Sequence, residues 1–165
     1  MKVLIISDTH RRHENLEIVL EKEKPLDLLI HLGDAEGSED YIGAIAECPM
    51  EIVSGNSDFF STLPAELILE LGKHRALVTH GHYYSVNTGM EDIKKEAEGR
   101  GCDMVMFGHT HRPFVDVPKL AQGKKKVITM NPGSLSYPRQ EGKCPSYIVM
   151  QIDRNGEAHM EIKYL

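Results

Sequence analysis

Two histidines, His109 and His111, stand on either side of a single threonine at the point where an apolar run of the chain ends. Four other short apolar runs also end in side chains that commonly bind metal ions. The motifs are spread over about a hundred residues, yet each follows a run of the same kind. The residues concerned are Asp8 with His10, Asp34, Asn56, His80 with His82, and His109 with His111.

Together these side chains predict a binding site for divalent metal ions. Asp8 and His10 are two residues apart, so in extended backbone their side chains project to the same side and can bind one ion. His109 and His111 have the same spacing, although a turn at this point could direct them to two different ions. Carboxylate and imidazole ligands suit Zn, Mn, Fe or Ni, and the lack of thiolates argues against a structural zinc site. A carboxylate such as Asp34 can bridge two ions through its separate oxygens.

Taken singly, each motif also has a simpler interpretation. The sequence Asp8-Thr9-His10 is consistent with a turn at a strand end, Gly-Asp and Gly-Asn pairs are common in turns, and His80 could be a core histidine. Their shared position after apolar runs makes the combined pattern far more specific than any one motif.

The elements that must position these residues follow from the apolar periodicity. Continuous apolar runs predict buried strands, and apolar side chains three or four residues apart predict helices between them. The predicted strands are residues 3–6, 28–32, 50–53, 65–71, 75–79, 104–107, 125–130, 146–152 and 158–164, and the predicted helices are residues 14–23, 42–46 and 90–98. The first third is a βαβαβ pattern, typical of a largely parallel sheet. Ligand sites of open α/β sheets lie at the carboxyl ends of the strands, so the motifs could converge there.

Length and composition limit the class of protein. A chain of 165 residues, 41% hydrophobic and 27% charged, predicts one globular domain over residues 1–165. The net charge of −6 argues against extended nucleic-acid binding, so an anionic substrate would need local positive charge. Arg11 and Arg12, which follow His10, could contact substrate, although solvated charges are the default expectation. Three cysteines without a Cys-x-x-Cys pair favour the cytoplasm. The N-terminal apolar run is too short for a signal peptide or a membrane span, so we expect no membrane partner.

The motifs in this order resemble those of the calcineurin-like metallophosphoesterases, D-x-H, G-D, G-N, H and G-H-x-H. The resemblance covers nearly the whole chain, and the short length with Met-Asn-Pro-Gly-Ser at 130–134 is similar to the small bacterial and archaeal phosphodiesterase branch. It implies an α/β fold, a four-layer αββα sandwich of two mixed β-sheets flanked by helices. It also implies two divalent metal ions, one held by Asp8, His10, Asp34 and His111 and the other by Asp34, Asn56, His80 and His109, with Asp34 bridging them.

The sequence departs from the family pattern at two positions whose residues act together in many members. Ser57 stands where the family has a histidine, the proposed general acid, and Gly37 stands where it has the aspartate that orients that histidine. We therefore expect hydrolysis without a dedicated imidazole acid, because a serine hydroxyl is a poor proton donor near neutral pH. Asp58 could assist catalysis, or it could orient its neighbours or cap a helix. His82 could contact the phosphate or orient His80.

The resemblance implies a dinuclear metal-dependent phosphoesterase, specifically a phosphodiesterase, in which a hydroxide that bridges the two ions attacks phosphorus. We expect manganese, with iron, nickel or zinc as alternatives, and a small anionic phosphoester as the substrate. A homo-oligomer is left open. A different class of function is also open, a protein-interaction scaffold like the retromer subunit of this fold, although the complete set of ligands favours an enzyme. The predicted catalytic residues are Asp34, Asn56, Asp58 and His82.

Overall fold

The computed structural model describes residues 1–118 and 127–165, which form two β-sheets and three α-helices. The strands are β1 (Lys2–Ile6), β2 (Leu28–His31), β3 (Met50–Ile52), β4 (Glu66–Leu71), β5 (His74–Thr79), β6 (Met104–Met106), β7 (Phe114–Asp116), β8 (Ile128–Asn131), β9 (Ser146–Ile152) and β10 (Ala158–Tyr164). The helices are α1 (Glu14–Glu23), α2 (Glu39–Ala46) and α3 (Glu91–Gly99), and one 3-10 turn covers His82–Tyr84.

Both sheets are mixed, and each contains three parallel strands side by side. The first sheet has the order β10-β9-β1-β2-β3, in which β1, β2 and β3 are parallel. The second has the order β4-β5-β6-β8-β7, in which β5, β6 and β8 are parallel. The remaining strands join through antiparallel pairs. The carboxyl ends of the parallel strands therefore meet at one edge of each sheet.

Three apolar clusters define four layers. Along β1, Val3 and Ile5 pack against the second sheet, whereas the alternate residues Leu4 and Ile6 pack under α1 and α2. Because both faces of this strand are covered, its sequence is a continuous apolar run. A third cluster packs α3 against the outer face of the second sheet. This αββα arrangement confirms the expected fold class.

All twelve predicted elements have a counterpart among the described residues; three have the predicted bounds, and the ends of the others differ by one to three residues. The helix α2 begins at Glu39, earlier than predicted, because the polar residues of its first turn carry no apolar signal. The sequence did not indicate β7, an edge strand of three residues that is too short to show periodicity. Residues 125 and 126 of one predicted strand lie outside the described residues. Within the described part of the chain, no helix has the length and apolar character needed to cross a membrane.

Candidate metal centre

The loops after β1, β2, β3, β5 and β6 carry the seven predicted metal ligands to a shared region where the two sheets meet. Backbone contacts join these loops: the Asp8 N–H donates to the Gly33 carbonyl (3.0 Å), and the His109 N–H donates to Asp8 Oδ2 (3.2 Å). The predicted ligands differ in burial. Four are buried (Asp8, Asp34, His80 and His111), two are half-buried (His10 and His109) and one is exposed (Asn56).

Two groups of potential ligand atoms are present. In the first, Asp8 Oδ1 lies 3.0 Å from His111 Nε2 and 3.9 Å from His10 Nε2. In the second, His80 Nε2 lies 3.6 Å from Asp34 Oδ2 and 4.0 Å from Asp8 Oδ1. The ligand atoms of each group lie within 4.8 Å of one another, so a single ion could contact all three. Asp8 therefore lies close to both groups, whereas the resemblance assigns it to one ion.

The carboxylate of Asp34, a member of the second group, also lies close to His10 of the first. Its Oδ2 atom lies 3.7 Å from His10 Nε2 on one side and 3.6 Å from His80 Nε2 on the other. Asn56 Oδ1 approaches His80 Nε2 to 3.1 Å, and the ring centroids of His80 and His109 are 5.2 Å apart. The residues expected around the second ion thus gather near His80.

Three of the predicted histidine ligands have their Nδ1 atoms bonded to acceptors. A carbonyl or carboxylate oxygen can only accept, so each Nδ1 carries a proton and the Nε2 of the neutral ring directs its lone pair to the centre. Such contacts fix the orientation of metal-binding imidazoles. The acceptors are Glu36 Oε1 for His10 (2.6 Å), the Leu32 carbonyl for His80 (2.7 Å) and the Tyr137 carbonyl for His111 (2.7 Å).

Several acceptor atoms in the centre face one another. Asp8 Oδ1 and His10 Nε2 are buried and have no hydrogen-bond partner among the described residues. His80 Nε2 and Asn56 Oδ1 are close together, although both are acceptors when Nδ1 of the ring holds the proton. Buried acceptors without donors are costly, and a cation between them removes that cost. The chemistry of the donor set and the unpaired atoms both fit divalent metal ions.

The charges of the centre are coupled. Burial alone would raise the pKa of Asp8, but the close contact with His111 and the nearby histidine charges outweigh it and lower the pKa. Burial opposes protonation of His111, yet its contact with Asp8 raises the pKa of the ring. Burial, reinforced by the nearby charge of His80, lowers the pKa of His82 and of His109. Asp8 is thus favoured as the carboxylate and His109 as the neutral ring, which are the forms that bind metal ions.

Five of the seven predicted ligands adopt a left-handed backbone conformation. Their φ angles are 55° at Asp8, 45° at His10, 59° at Asp34, 64° at His109 and 57° at His111. Sparsely populated conformations of this kind cost about 1–3 kcal/mol each and concentrate at functional sites. The surrounding contacts must therefore hold these loops in place.

Two glycines of the motifs are required because other atoms come very close. A Cβ at Gly55 would lie 2.1 Å from Asp34 Oδ1 and 2.6 Å from the Asp34 nitrogen. A Cβ at Gly108 would lie 2.0 Å from Ser7 Oγ and 2.9 Å from Asp8 Oδ2. These glycines let neighbouring loops approach the two carboxylates.

Asp58 joins the loops that carry the ligands. Its Oδ2 accepts hydrogen bonds from the N–H groups of Asp34 (2.8 Å) and Gly55 (2.7 Å), and its Oδ1 accepts one from the Glu36 N–H (2.5 Å). Both oxygens are therefore engaged as acceptors. Of the roles considered for Asp58, this geometry favours the orientation of its neighbours.

Ser57, which occupies the position of the family histidine, binds Asp34. Its N–H donates to Asp34 Oδ1 (2.8 Å) and its hydroxyl donates to Asp34 Oδ2 (3.0 Å). The hydroxyl proton is thus directed to the carboxylate that lies close to both ligand groups.

His82 lies in the 3-10 turn beside the centre. Its ring centroid is 5.4 Å from that of His80 and 6.2 Å from that of His109. The Leu32 carbonyl already binds His80 Nδ1, so the backbone of the β2 loop orients His80. Of the two roles considered for His82, contact with substrate is the one that this arrangement leaves open.

Buried polar residues outside the predicted set support the loop after β1. His31 Nδ1 accepts from the Gly33 N–H (3.2 Å), so its Nε2–H donates to Thr9 Oγ1 (3.0 Å). Burial lowers the pKa of His31 to about 4, which keeps the ring neutral. Ser134, the last residue of the segment 130–134, donates to the Asp8 carbonyl (2.9 Å). Sequence patterns mark these residues as core or turn and give no sign of the contacts.

The centre opens into a cleft of about 770 Å³. Predicted ligands and Ser57 line this cleft together with Arg112, Ser136, Tyr137, Pro138, Arg139 and Lys143. The three cations among these residues belong to no motif, so the sequence did not single them out. Arg11 instead donates to the Glu36 carbonyl, and the Arg12 guanidinium stacks on the Tyr137 ring at 4.6 Å.

The sequence matches one protein family over most of its length. Residues 1–155 match the family described as the calcineurin-like phosphoesterase superfamily domain. The chain is 35% identical over 156 residues to a probable metallophosphoesterase, YsnB of Bacillus subtilis, and the match covers 94% of this chain and 86% of YsnB.

Solved structures share the whole fold. A predicted phosphoesterase from Streptococcus pneumoniae superimposes with a TM-score of 0.76 at 25% identity and covers 99% of this chain and 97% of its own. Vps29 of Entamoeba histolytica, solved in complex with zinc, gives a TM-score of 0.73 at 20% identity and covers 99% of both chains. At that lower identity the likeness shows the fold alone.

Proposed function

Because the chain belongs to the calcineurin-like phosphoesterase superfamily, we propose that it is a dinuclear metal-dependent phosphodiesterase that acts on a small anionic phosphoester. The observation that carries the dinuclear proposal is the position of Asp34 Oδ2, 3.7 Å from His10 Nε2 and 3.6 Å from His80 Nε2. An oxygen shared by two groups of ligands supports a bridging carboxylate.

In this proposal the two ions would share Asp34, and manganese is the metal we propose, although oxygen and imidazole nitrogen ligands suit iron, nickel and zinc as well. When bound, two divalent cations would activate a water molecule and neutralise charge on the phosphoryl oxygens. The ions would add four positive charges against the carboxylates of Asp8 and Asp34. One ion would be held by Asp8, His10, Asp34 and His111, and the other by Asp34, Asn56, His80 and His109.

The chain's own residues offer few donors for the leaving group. The Ser57 hydroxyl donates to Asp34, and both oxygens of Asp58 accept from backbone N–H groups. His82 Nδ1 is buried without a partner among the described residues, and burial lowers the pKa of the ring. A neutral imidazole can donate a hydrogen bond to a phosphate oxygen from one nitrogen. We therefore assign His82 to substrate contact, and we expect departure of the leaving group to depend on its own acidity.

We further propose that residues 1–165 act as one domain in the cytoplasm. The family match spans residues 1–155 without interruption. Cys48, Cys102 and Cys144 are all free thiols, and Cys144 is exposed, which supports a reducing compartment.

Hydrolysis assays with defined metal loading test the function. The metal-stripped chain is given Mn²⁺, and rates are measured with bis(4-nitrophenyl) phosphate and with 4-nitrophenyl phosphate. We expect the diester to be hydrolysed faster, no activity in EDTA, and a loss of orders of magnitude in Asp34→Asn with an unchanged unfolding transition. Full activity of the metal-free chain would end the proposal of a metal-dependent enzyme. Faster hydrolysis of the monoester would replace the diesterase assignment with a monoesterase.

A scaffold function is the alternative, and the structural likeness to Vps29 supports it at the level of the fold. The convergence of the predicted ligands supports an enzyme instead, as do the buried acceptors Asp8 Oδ1 and His10 Nε2, which lack hydrogen-bond partners within the described residues. A chain that binds two metal ions but hydrolyses no phosphoester in a broad panel would favour the scaffold.

A further inference from the structure

The cleft beside the metal centre has a cationic wall, formed by Arg112, Arg139 and Lys143. None of these residues is among the predicted metal ligands, and all three side chains are exposed. The cleft is also lined by one carboxylate, Asp34, which is a predicted metal ligand. Two of the cations, Arg112 and Arg139, also border a neighbouring cavity of about 470 Å³, so they stand between that space and the metal centre.

Backbone hydrogen bonds fix this wall to a predicted metal ligand. The His111 carbonyl accepts from the Arg139 N–H (3.0 Å), and His111 Nδ1 donates to the Tyr137 carbonyl (2.7 Å). Arg112 follows His111 directly in the chain. The segment 137–139 is thus held against the imidazole from both directions, which keeps the cations beside the site.

The three cations also have no acidic partners among the described residues. Within residues 1–118 and 127–165, no carboxylate oxygen lies within 4.0 Å of their charged nitrogens, although other lysines and arginines of the chain form ion pairs. Residues 119–126 contain no aspartate or glutamate. In a chain of net charge −6, a wall of three unpaired cations suggests a binding surface for an anion.

We propose that the cationic wall binds a second phosphate group of the substrate, so that the substrate is a small molecule carrying a phosphate besides the scissile phosphoester. The inference rests on the proposed function, because it places the scissile group at the metal centre. Arginine recognises phosphate through paired N–H donors, and lysine adds a point charge. The wall would thereby select among phosphodiesters by charge.

Binding measurements test the wall without relying on turnover. Calorimetric Kd values are determined for the Mn²⁺-loaded chain with ethylene, propylene and butylene bisphosphonates and with the ethyl, propyl and butyl monophosphonates. The series of lengths covers different separations between the two anionic groups. The variant is Arg139→Gln with Lys143→Gln, which changes exposed side chains only. Its control is Lys22→Gln with Arg154→Gln, which removes the same charge from exposed positions outside the cleft.

In the wild type and the control, we expect at least one bisphosphonate to bind about tenfold more tightly than the monophosphonate of the same length. This ratio of Kd values is what one exposed charge-assisted hydrogen bond contributes. The wall variant should lose this advantage while its affinity for the monophosphonates changes little. A bisphosphonate advantage that persists in the wall variant would show that the metal ions alone cause it and would overturn the proposal. So would the lack of any advantage in the wild type, or an equal gain from 3-phosphonopropionate, since that second group is a carboxylate. Failure of the proposed function would appear separately, as absent hydrolysis of bis(4-nitrophenyl) phosphate.

Discussion

Replacement of Asp58 by asparagine distinguishes a positioning residue from a proton donor. Asparagine offers one acceptor oxygen, which can keep the two N–H donors of Asp34 and Gly55. In the variant, the NH₂ group of asparagine would face the Glu36 N–H. In the wild type, that N–H donates to Asp58 Oδ1 (2.5 Å). The change removes one charge-assisted hydrogen bond and sets two donors against each other. For a half-buried carboxylate we expect a loss of about 2 kcal/mol in the free energy of unfolding.

The loss should extend to metal binding through Glu36. The Glu36 carboxylate holds His10 Nδ1 at 2.6 Å, so displacement of the Glu36 backbone releases a predicted ligand. Contacts that orient metal ligands are worth about 10- to 100-fold in affinity or activity. We therefore expect Mn²⁺ affinity to fall by about that factor, measured by calorimetric titration, alongside urea unfolding of the metal-free chain.

Asp153→Asn is the matched control. The Oδ1 atom of Asp153 accepts from the N–H groups of Asn155 (2.7 Å) and Glu157 (3.0 Å), which asparagine can retain, and its Oδ2 lies 3.6 Å from His159 Nε2. It removes the same charge in a turn away from the cleft, so Mn²⁺ affinity should not change. The reasoning is refuted if Asp58→Asn keeps its metal affinity and stability while its rate loss grows with the pKa of the leaving group. That pattern would identify Asp58 as the proton donor.

His31→Gln should make the stability of the metal-free chain depend less on pH on the acid side. Burial lowers the pKa of His31 to about 4 from its ordinary value of 6.5, so the neutral ring contributes stability that is complete above pH 6.5 and is lost as the pH falls towards 4, about 3 kcal/mol in all. Equal dependence of urea unfolding on pH in the variant and the wild type would contradict this prediction. Gly55→Ala should impair metal binding because the added Cβ would clash with Asp34. Gly89→Ala is the control, since a Cβ there would have no atom within 4 Å. Equal Mn²⁺ titrations of the two variants would refute this reasoning. The wild type should hydrolyse aryl phosphodiesters faster than alkyl ones. Ser57→His with Gly37→Asp should weaken that preference, despite the strained φ of +79° at Gly37. A wild-type rate that does not depend on the pKa of the leaving group would mean that another group donates the proton.

The sequence predicted well what depends on local pattern. Strand β1 is buried on both faces, so its apolar run and the polar residues Asp8 and His10 after it could be recognised directly. That the loops of two different sheets meet came from the resemblance to a family, since long-range packing leaves no periodic signal. The fold confirms that expectation.

Contacts made by loop backbones could not be predicted. Arg139 reaches the cleft because its N–H donates to the His111 carbonyl. Nothing in the composition of residues 136–143 predicts this backbone contact. The setting of Asp58 likewise depends on three N–H groups from two loops. The sequence could state alternatives for Asp58, and only the geometry favours one of them.

The most direct test of the central claim is the number and coupling of bound metal ions. Mn²⁺ is titrated into the metal-free chain, and the loaded protein is examined by electron paramagnetic resonance. Two ions per chain with a spin-coupled signal are predicted, because Asp34 lies close to both His10 and His80. Asp34→Asn should abolish the coupling. A single ion per chain, or two uncoupled ions that Asp34→Asn leaves unchanged, would contradict the dinuclear centre.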